Sequence, residues 1–207
     1  MTVETKPRLD RDTRREAILD VAAEVFLEVG YSAASMSMIA GRLGGSKGTL
    51  YNYFRSKEEL FEAYIVRHCA WQQETMDKLY AQGGDVRLAL MELGRSLLRH
   101  VLSGFGLRNF ILVVSEADRA PEIGRLYYEE GPLRGIARFA EFIARSVQEG
   151  RLRRCDAQIA AQQFGSLCQN RLLKARLCNA LPEPTEAEIE AEVGAAVETF
   201  MAAYGPL

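Results

Sequence analysis

Ile18, Ala22, Val25, Phe26 and Val29 fall at i, i+4, i+7, i+8 and i+11, which places them on one stripe of an α-helix. The period returns at the far end of the chain in Ile189, Val193, Val197, Phe200 and Tyr204. No polar–apolar alternation runs long enough to form a strand with confidence in its face. A chain patterned in this way buries its side chains by packing helix on helix, and the expected fold class is all-α. Its 207 residues, 48% of them hydrophobic, are enough for one or two cores.

Polar residues and glycines divide the pattern. Thr13 with Glu16, Ser56 with Glu59 and Thr185 with Glu188 have the spacing of capping boxes, in which hydroxyl and carboxylate each serve a backbone N–H of the first turn. Ser35 suits the N-cap of a short helix ending near Leu43. Gly30 and the pair Gly83-Gly84 suit helix ends. Helices are expected from the Thr13 cap to Gly30, then over 36–43, 47–54, 57–82, 85–103, 107–118, 121–149, 156–179 and 185–204. Within 121–149, Gly131-Pro132 leaves a break open.

Several function classes fit poorly. Charged residues are 26% of the chain and the net charge is −2, so any case for a polyanion partner must rest on local charge. No apolar run approaches the roughly 18–20 residues that span a bilayer. The opening "MTVETKPRLDRDTRREAILD" has no apolar core of the secretory type, so a cytoplasmic protein without a membrane partner is expected. Cys69, Cys155, Cys168 and Cys178 show no CxxC spacing and suit buried small side chains better than a disulfide framework or a redox sensor. His68 and His100 are the only imidazoles, and no His/Cys cluster has metal spacing, so no metal or cofactor is expected. No nucleophile–base pairing or phosphate loop suggests an enzyme.

The segment "GGSKGTLYNYF", residues 44–54, is the informative one. It holds three glycines, one lysine and three aromatics, with hydroxyls between them, and it links two short helices by a Gly-Gly-Ser turn. That is the arrangement of a helix-turn-helix. A helix that enters the DNA major groove needs small residues on its exposed face and groups that reach phosphates and base edges. Gly48 allows close backbone approach. Ser46, Lys47 and Thr49 stand at the helix start, where N–H groups and the helix dipole favour a phosphate. Tyr51, Asn52 and Tyr53 carry polar tips on the next turn, while Leu50 and Phe54, four apart, point inward. Residues 29–57 contain no acidic side chain but hold Arg42, Lys47, Arg55 and Lys57. A solvated basic surface would show the same charge; the helix-turn-helix spacing favours DNA.

The stretch "SMSMIAGRLGGSKGTLYNYFRSKEELF" resembles the DNA-binding signature of the TetR family of bacterial transcriptional regulators, and the likeness runs from Arg14 to Phe61. It implies groove or phosphate contacts from Ser46, Lys47, Gly48, Thr49, Tyr51, Asn52 and Tyr53, a phosphate contact from Lys57, and Ser35 or Ser37 near the DNA backbone. Gly45 stands where the family usually has a packing valine, and Tyr53 where histidine is frequent. Downstream, "NFILVVSEADRAPEIGRLYYEEGP" is similar to the C-terminal domain of the AefR-like subgroup. The resemblance implies a DNA-binding domain at 1–57 and a ligand-binding and dimerisation domain at 58–207.

Aromatics on the middle helices, Trp71, Phe105, Phe110, Tyr127, Phe139 and Phe142, are candidates for an effector cavity, although each could equally be ordinary core. With no evident cluster of buried charge, an apolar or aromatic effector is expected. The last helix has a full apolar stripe to cover, and a single recognition helix binds DNA weakly, so a homodimer is expected with Leu167, Arg171, Val197 and Phe200 as interface candidates. The leading expectation is a repressor that binds double-stranded operator DNA and is released by a small molecule. The alternative is a thiol redox-sensing regulator with the same DNA-binding part, with Cys168 and Cys178 bridging across a dimer.

Overall fold

A computed structural model describes residues 10–71, 74–76 and 85–206. The described residues form helices joined by turns, in the order α1 (Arg11–Val29), α2 (Met36–Arg42), α3 (Lys47–Tyr51), α4 (Lys57–Cys69), α5 (Val86–Leu102), α6 (Gly104–Glu116), α7 (Pro121–Tyr128), a π-helical turn (Glu129–Leu133), α8 (Arg134–Gln148), α9 (Ala157–Cys168), α10 (Leu172–Leu177) and α11 (Glu186–Tyr204). The all-α expectation holds. Among the described residues, no single helix is long and apolar enough to cross a membrane.

The caps follow the sequence in part. Thr185 and Glu188 form the full reciprocal box at the start of α11. Ser35 Oγ accepts the Met38 N–H at 3.3 Å, as expected. Ser56 Oγ accepts from Glu59 N at 3.2 Å, but the Glu59 carboxylate turns to Arg55 N, 2.7 Å away. Thr13 caps nothing: α1 starts earlier because Asp10 accepts the Arg11 N–H at 2.8 Å, leaving Thr13 inside the first turn. A carboxylate at that end also faces the positive pole of the helix.

Three expected helices are altered. The one expected over 57–82 stops at Cys69, where Ala70 N tightens onto Arg67 O at 3.2 Å, and helix resumes at Trp71. The predicted stop at Gly83-Gly84 lies outside the described residues. The helix expected over 156–179 breaks after Cys168, because the Arg171 N–H is taken by the Glu192 side chain of α11 at 3.0 Å. Pro132 does not end the 121–149 segment. The chain widens into a π turn there, with Arg134 N bonded to Glu129 O, and this accommodates a residue that has no N–H to donate.

Two apolar cores result. The first gathers α1 to α4 and also takes in Leu112 and Val113 of α6 with Ala120 and Ile123 of the following segment. Leu60, Phe61, Tyr64 and Ile65, which a division at 57/58 assigns to the second domain, lie inside this first core. Phe61 is its hub, edge-on to Phe26 at 5.1 Å and to Tyr31 at 4.8 Å. Tyr64 donates its hydroxyl to Asn109 Oδ1, whose amide in turn donates to Phe105 O at 2.8 Å, so the buried Asn109 is satisfied and α4 is tied to α6.

The second core joins α5, α8, α9, α10 and α11. α5 and α11 lie so close that a Cβ on Gly94 would stand 2.6 Å from Val193 Cγ1. Arg95 grips Glu190 with two bonds of 2.6 Å, and Arg99 reaches Glu186 at 2.7 Å, which sets the register of the pair from the solvent side. Val197 and Phe200 are 1% and 0% exposed in this core, and that corrects their assignment to a dimer interface: the apolar stripe of α11 is covered by its own chain. Leu167 is half-buried against the same core, and Arg171 is exposed and paired with Glu192 at 3.1 Å.

Truncating Phe61 removes a ring on which both α1 and α4 depend. Phe61→Ala is expected to lower stability by about 3–5 kcal/mol, read from urea unfolding; a loss below about 1 kcal/mol would show that the first core does not depend on this ring.

Candidate nucleic-acid interface

The turn between α2 and α3 is a tight helix ending. Gly45 N bonds to Ala40 O at 3.3 Å and Gly44 N to Gly41 O at 3.2 Å, with Gly44 at φ +64°. This is the paired-bond closure of a helix C-terminus, and it needs a left-handed residue at the position that Gly44 fills. Gly45, where a packing valine would be usual, has Arg14 Nη2 3.6 Å from where its Cβ would stand, so the guanidinium of an α1 arginine lies against the turn instead.

The next residues set α3. Ser46 Oγ accepts Thr49 N at 3.2 Å and lies 3.1 Å from Thr49 Oγ1. Leu50 and Phe54 are 1% and 2% exposed and fix the helix to the first core, as their spacing predicted. The opposite face is open: Ser46, Lys47, Gly48, Tyr51 and Asn52 are exposed, Thr49 is half-buried, and Tyr53 packs partly against the core. A Cβ on Gly48 would meet only Ser46 Oγ, at 3.6 Å. Nothing inside the protein therefore requires glycine there, although glycine in a helix costs about 1 kcal/mol relative to alanine.

The charge is more selective than the sequence suggested. Arg42 is bound to Glu28 at 2.6 Å, which holds the Glu28 carboxyl below its ordinary range. Lys57 is turned inward: its ammonium donates to Tyr31 O at 2.8 Å and lies 4.3 Å from the centre of the Tyr31 ring. Lys47 and Arg55 have no ion-pair partner among the described residues. Two arginines that sequence spacing did not single out join this side. Arg14 lies beside Gly45, and Arg15 stands 5.2 Å from the centre of the Phe54 ring. Only the folded turn brings them to α3. Ser37 is exposed on α2, and Ser35 is half-buried with its hydroxyl engaged as the cap.

A cavity of about 810 Å³ opens between the lower ends of α4 and α6 and the second core. Of the aromatics singled out in the sequence, Trp71, Phe110, Tyr127 and Phe139 line it. Phe105 and Phe142 do not: Phe105 sits edge-on to His68 at 5.3 Å, and Phe142 is buried in the second core. The wall also holds His68, Cys69 and His100, which the sequence did not mark as pocket residues. His68 Nε2 lies 3.3 Å from His100 Nε2, and Trp71 stacks on His100 at 4.7 Å. Burial pushes both imidazoles down to about 4 and the Cys69 thiol up to about 12. Cys168, fully buried, is also pushed up to about 12, so neither buried thiol has the low-pKa, accessible character of a redox sensor. Nor can Cys168 bridge across a dimer from inside a core.

The cavity and the Tyr31–Ser32 turn before α2 are linked by two helices. α4 runs from His68 and Cys69 at the cavity to Lys57 on the Tyr31 carbonyl. α6 runs from Gly106 and Phe110 at the cavity to Glu116, whose carboxylate accepts the Ser32 N–H at 3.3 Å and the Ser32 hydroxyl. Gly30, at φ +83°, leaves the space this carboxylate occupies: a Cβ there would be 2.6 Å from Glu116 Oε1.

Residues 18–64 match the family described as bacterial regulatory proteins of the tetR family, and residues 88–206 match the C-terminal domain of the AefR-like transcriptional repressors. The transcriptional activator FasR of Mycolicibacterium smegmatis is 52% identical over 61 residues, which are 30% of this chain and 28% of FasR. The chain thus spans little more than a quarter of the length of that relative. The regulator UidR of Escherichia coli K12 is 27% identical over 181 residues, 86% of this chain and 82% of UidR. Among solved structures, a TetR-family regulator from Mesorhizobium loti superposes with a TM-score of 0.81 at 27% identity, covering 95% of this chain and all of that one. The flavonoid-responsive regulator FrrA superposes with a TM-score of 0.75 at 32% identity over 94% of this chain and 98% of FrrA. With the family match extending over more than half of its length, this chain belongs to the TetR family of bacterial transcriptional regulators, with a C-terminal domain of the AefR-like type.

Proposed function

We propose that the chain is a ligand-responsive repressor that binds operator DNA as a homodimer in the cytoplasm and releases it when a small molecule fills the cavity. The observation that carries this reading is the face of α3. It is anchored by two buried residues, exposes hydroxyls, tyrosine, amide and one unpaired lysine, and keeps at Gly48 a glycine with no internal purpose. Ser46, Lys47, Gly48, Thr49, Tyr51, Asn52 and Tyr53 are assigned to the groove and its phosphates, and Ser37 to the DNA backbone. Arg14, Arg15 and Arg55 add positive potential. Lys57 and Ser35 act chiefly by holding the turn and the cap that position α3. The AefR-like repressor family matched by the second domain favours repression over activation.

Dimerisation is assigned to the outward face of α9 and α11. Ala187, Ala191, Ala195 and Ala202 keep that face of α11 low except at Glu198, which is bound to Arg87, and Ile159 on α9 is 50% exposed. Small side chains allow close helix approach between two copies related by a two-fold axis. The effector is assigned an apolar, aromatic body on the strength of the aromatic walls, and FrrA, whose name records a response to flavonoids, supports a flat ring system. Transmission uses α4 and α6 together. An effector that prefers one arrangement of their cavity ends shifts the population of the Tyr31–Ser32 turn at their other ends, and so the setting of α2 and α3.

The decisive experiment is titration of the protein against labelled DNA from upstream of its own gene at several salt concentrations. Binding by two chains per site, resistant to competitor DNA and falling steeply with salt, is expected; equal affinity for any DNA would defeat the reading. Gly48→Leu should leave stability unchanged or higher by up to about 1 kcal/mol while weakening operator binding about a hundredfold. If affinity survives, α3 is not the groove element. Ala195→Arg should give a monomer by sedimentation and lose affinity by about a hundredfold or more; a variant that stays dimeric would move the interface elsewhere. Glu116→Gln should bind operator, but the change in DNA affinity on adding effector should shrink from the roughly 5–150-fold usual for such coupling toward none. An undiminished response would exclude α6 as a transmitter.

A further inference from the structure

The cavity wall is uneven in a chemically specific way. Among the described residues that line it there is no aspartate or glutamate, and its basic side chains are His68, His100 and Lys174. The two histidines are not scattered. Their Nε2 atoms face each other at 3.3 Å, His68 is buried, and the indole of Trp71 lies over His100 with its plane tilted by 22°. Across so short a gap only one ring can place a hydrogen, so one imidazole donates and the other presents a lone pair. Two charged rings at that distance would repel each other, and two neutral rings hold a single hydrogen bond. The pair is thus able to accept one proton and not two.

We propose that His68 and His100 form a proton-accepting anchor for an effector whose apolar body carries one acidic oxygen, a carboxylate or an ionisable phenol. The inference rests on the reading of the cavity as the effector site and adds the chemical class of the effector. A lone anion in this apolar cavity would be poorly solvated. An anion that enters with one proton from solvent leaves the cavity with no net added charge: the proton bonds to a ring nitrogen, the imidazolium pairs with the acidic oxygen, and no other bond is made or broken. The same end state is reached if the acid enters whole and passes its proton to the ring.

The surroundings of the dyad favour this step. From α4, Tyr64 lies 6.3 Å from His68 by ring centres and Cys69 is its chain neighbour; from α7, Tyr127 lies 6.4 Å away. All three are held neutral by burial, Cys69 and Tyr127 pushed up to about 12 and Tyr64 upward. From α6 the neighbour is the Phe105 ring. The formal charges at this end are Arg67 and Arg108, which bear on Tyr64, and Glu130, which bears on Cys69 and is bound to Arg134 at 2.6 Å. Lys174 faces the cavity from α10. No free carboxylate among these competes with the effector for the imidazolium.

The sign of the pH dependence follows. Burial holds both rings at about 4, mainly because charge is desolvated there. An acidic oxygen beside a ring favours the charged form and raises that value. Between the two values an effector that is anionic in solution, such as a carboxylate, takes up one proton on binding, so its affinity rises about tenfold for each unit that pH falls; a phenol, neutral below a pH of about 10, brings its own proton and shows no such slope.

The test uses the full-length protein and matched probes: aromatic carboxylic acids and phenols, each beside its methyl ester or ether, titrated from pH 5 to 8. Trp71 is the sole tryptophan, so its fluorescence reports on the dyad directly. Each acid is expected to bind better than its ester or ether, with about one proton taken up per carboxylate and none per phenol, counted by calorimetry in phosphate and in Tris. Carboxylates and phenols in parallel identify which acid the dyad takes. In His100→Gln, checked for folding by its melting temperature, the preference for acid over ester should fall at least about tenfold and the pH slope should vanish. Carboxylates that bind without proton uptake, a pH slope for carboxylates retained in His100→Gln, or binding by esters and ethers alone would overturn the anchor while leaving the cavity as the effector site. Binding by neither series would overturn both.

Discussion

Two polar links between the halves of this chain converge on one short turn. Tyr31 and Ser32 are held from one side by the Lys57 ammonium and from the other by the Glu116 carboxylate. Each comes from the end of a helix whose opposite end forms part of the cavity. A cation holds the turn by its carbonyls and an anion holds it by an N–H and a hydroxyl, so the two grips do not compete for the same atoms. The setting of α2 and α3 depends on where this turn is held, because α2 starts at Met36, a few residues beyond it. A lysine that family resemblance assigns to a phosphate thus has a second task inside the protein.

Packing supports the same arrangement. The first core is not closed by α1 to α3; it is completed by the aromatic residues of α4 and by the far ends of α6 and α7. Phe61 and Tyr64 sit where α1 to α3 and the helices that line the cavity share one set of contacts. Close-packed interiors transmit displacement because they have no slack to absorb it. Over the roughly 15 Å of α6 from Gly106 to Glu116, a rigid helix carries a shift made at the cavity end to the turn.

Much of this was legible in the sequence, for physical reasons that differ between its parts. The helix-turn-helix could be read because its demands are local: Gly44 for the left-handed closure, Ser46 for the cap, Leu50 and Phe54 four apart for the anchor. The 3.6-residue period gave the helices, and Thr185 with Glu188 gave the last start correctly. Breaks at Ala70 and after Cys168 were not legible, since they depend on contacts with distant segments: Trp71 on His100, and Glu192 taking the Arg171 N–H. The stripe at Val197 and Phe200 showed that one face of α11 must be buried, but periodicity cannot say whether the cover is the same chain or another. His68 and His100 are 32 residues apart, and no spacing rule brings them together. Glu116 and Ser32, 84 residues apart, are a pairing of the same kind.

The shared first core also bears on descent. A head cut at residue 57 would part from the rings of Phe61 and Tyr64 that fill it, and from the α6 and α7 residues that close it. Joining this head to the body of a distant relative would place foreign side chains against Phe26 and Tyr31, and a lineage could not trade DNA specificity by exchanging the first 57 residues as a cassette. What can vary at little cost is the solvent face of α3, whose residues support nothing behind them. If α3 reads DNA as proposed, new operators are reached by point changes on one turn of helix, while the framework beneath is inherited whole.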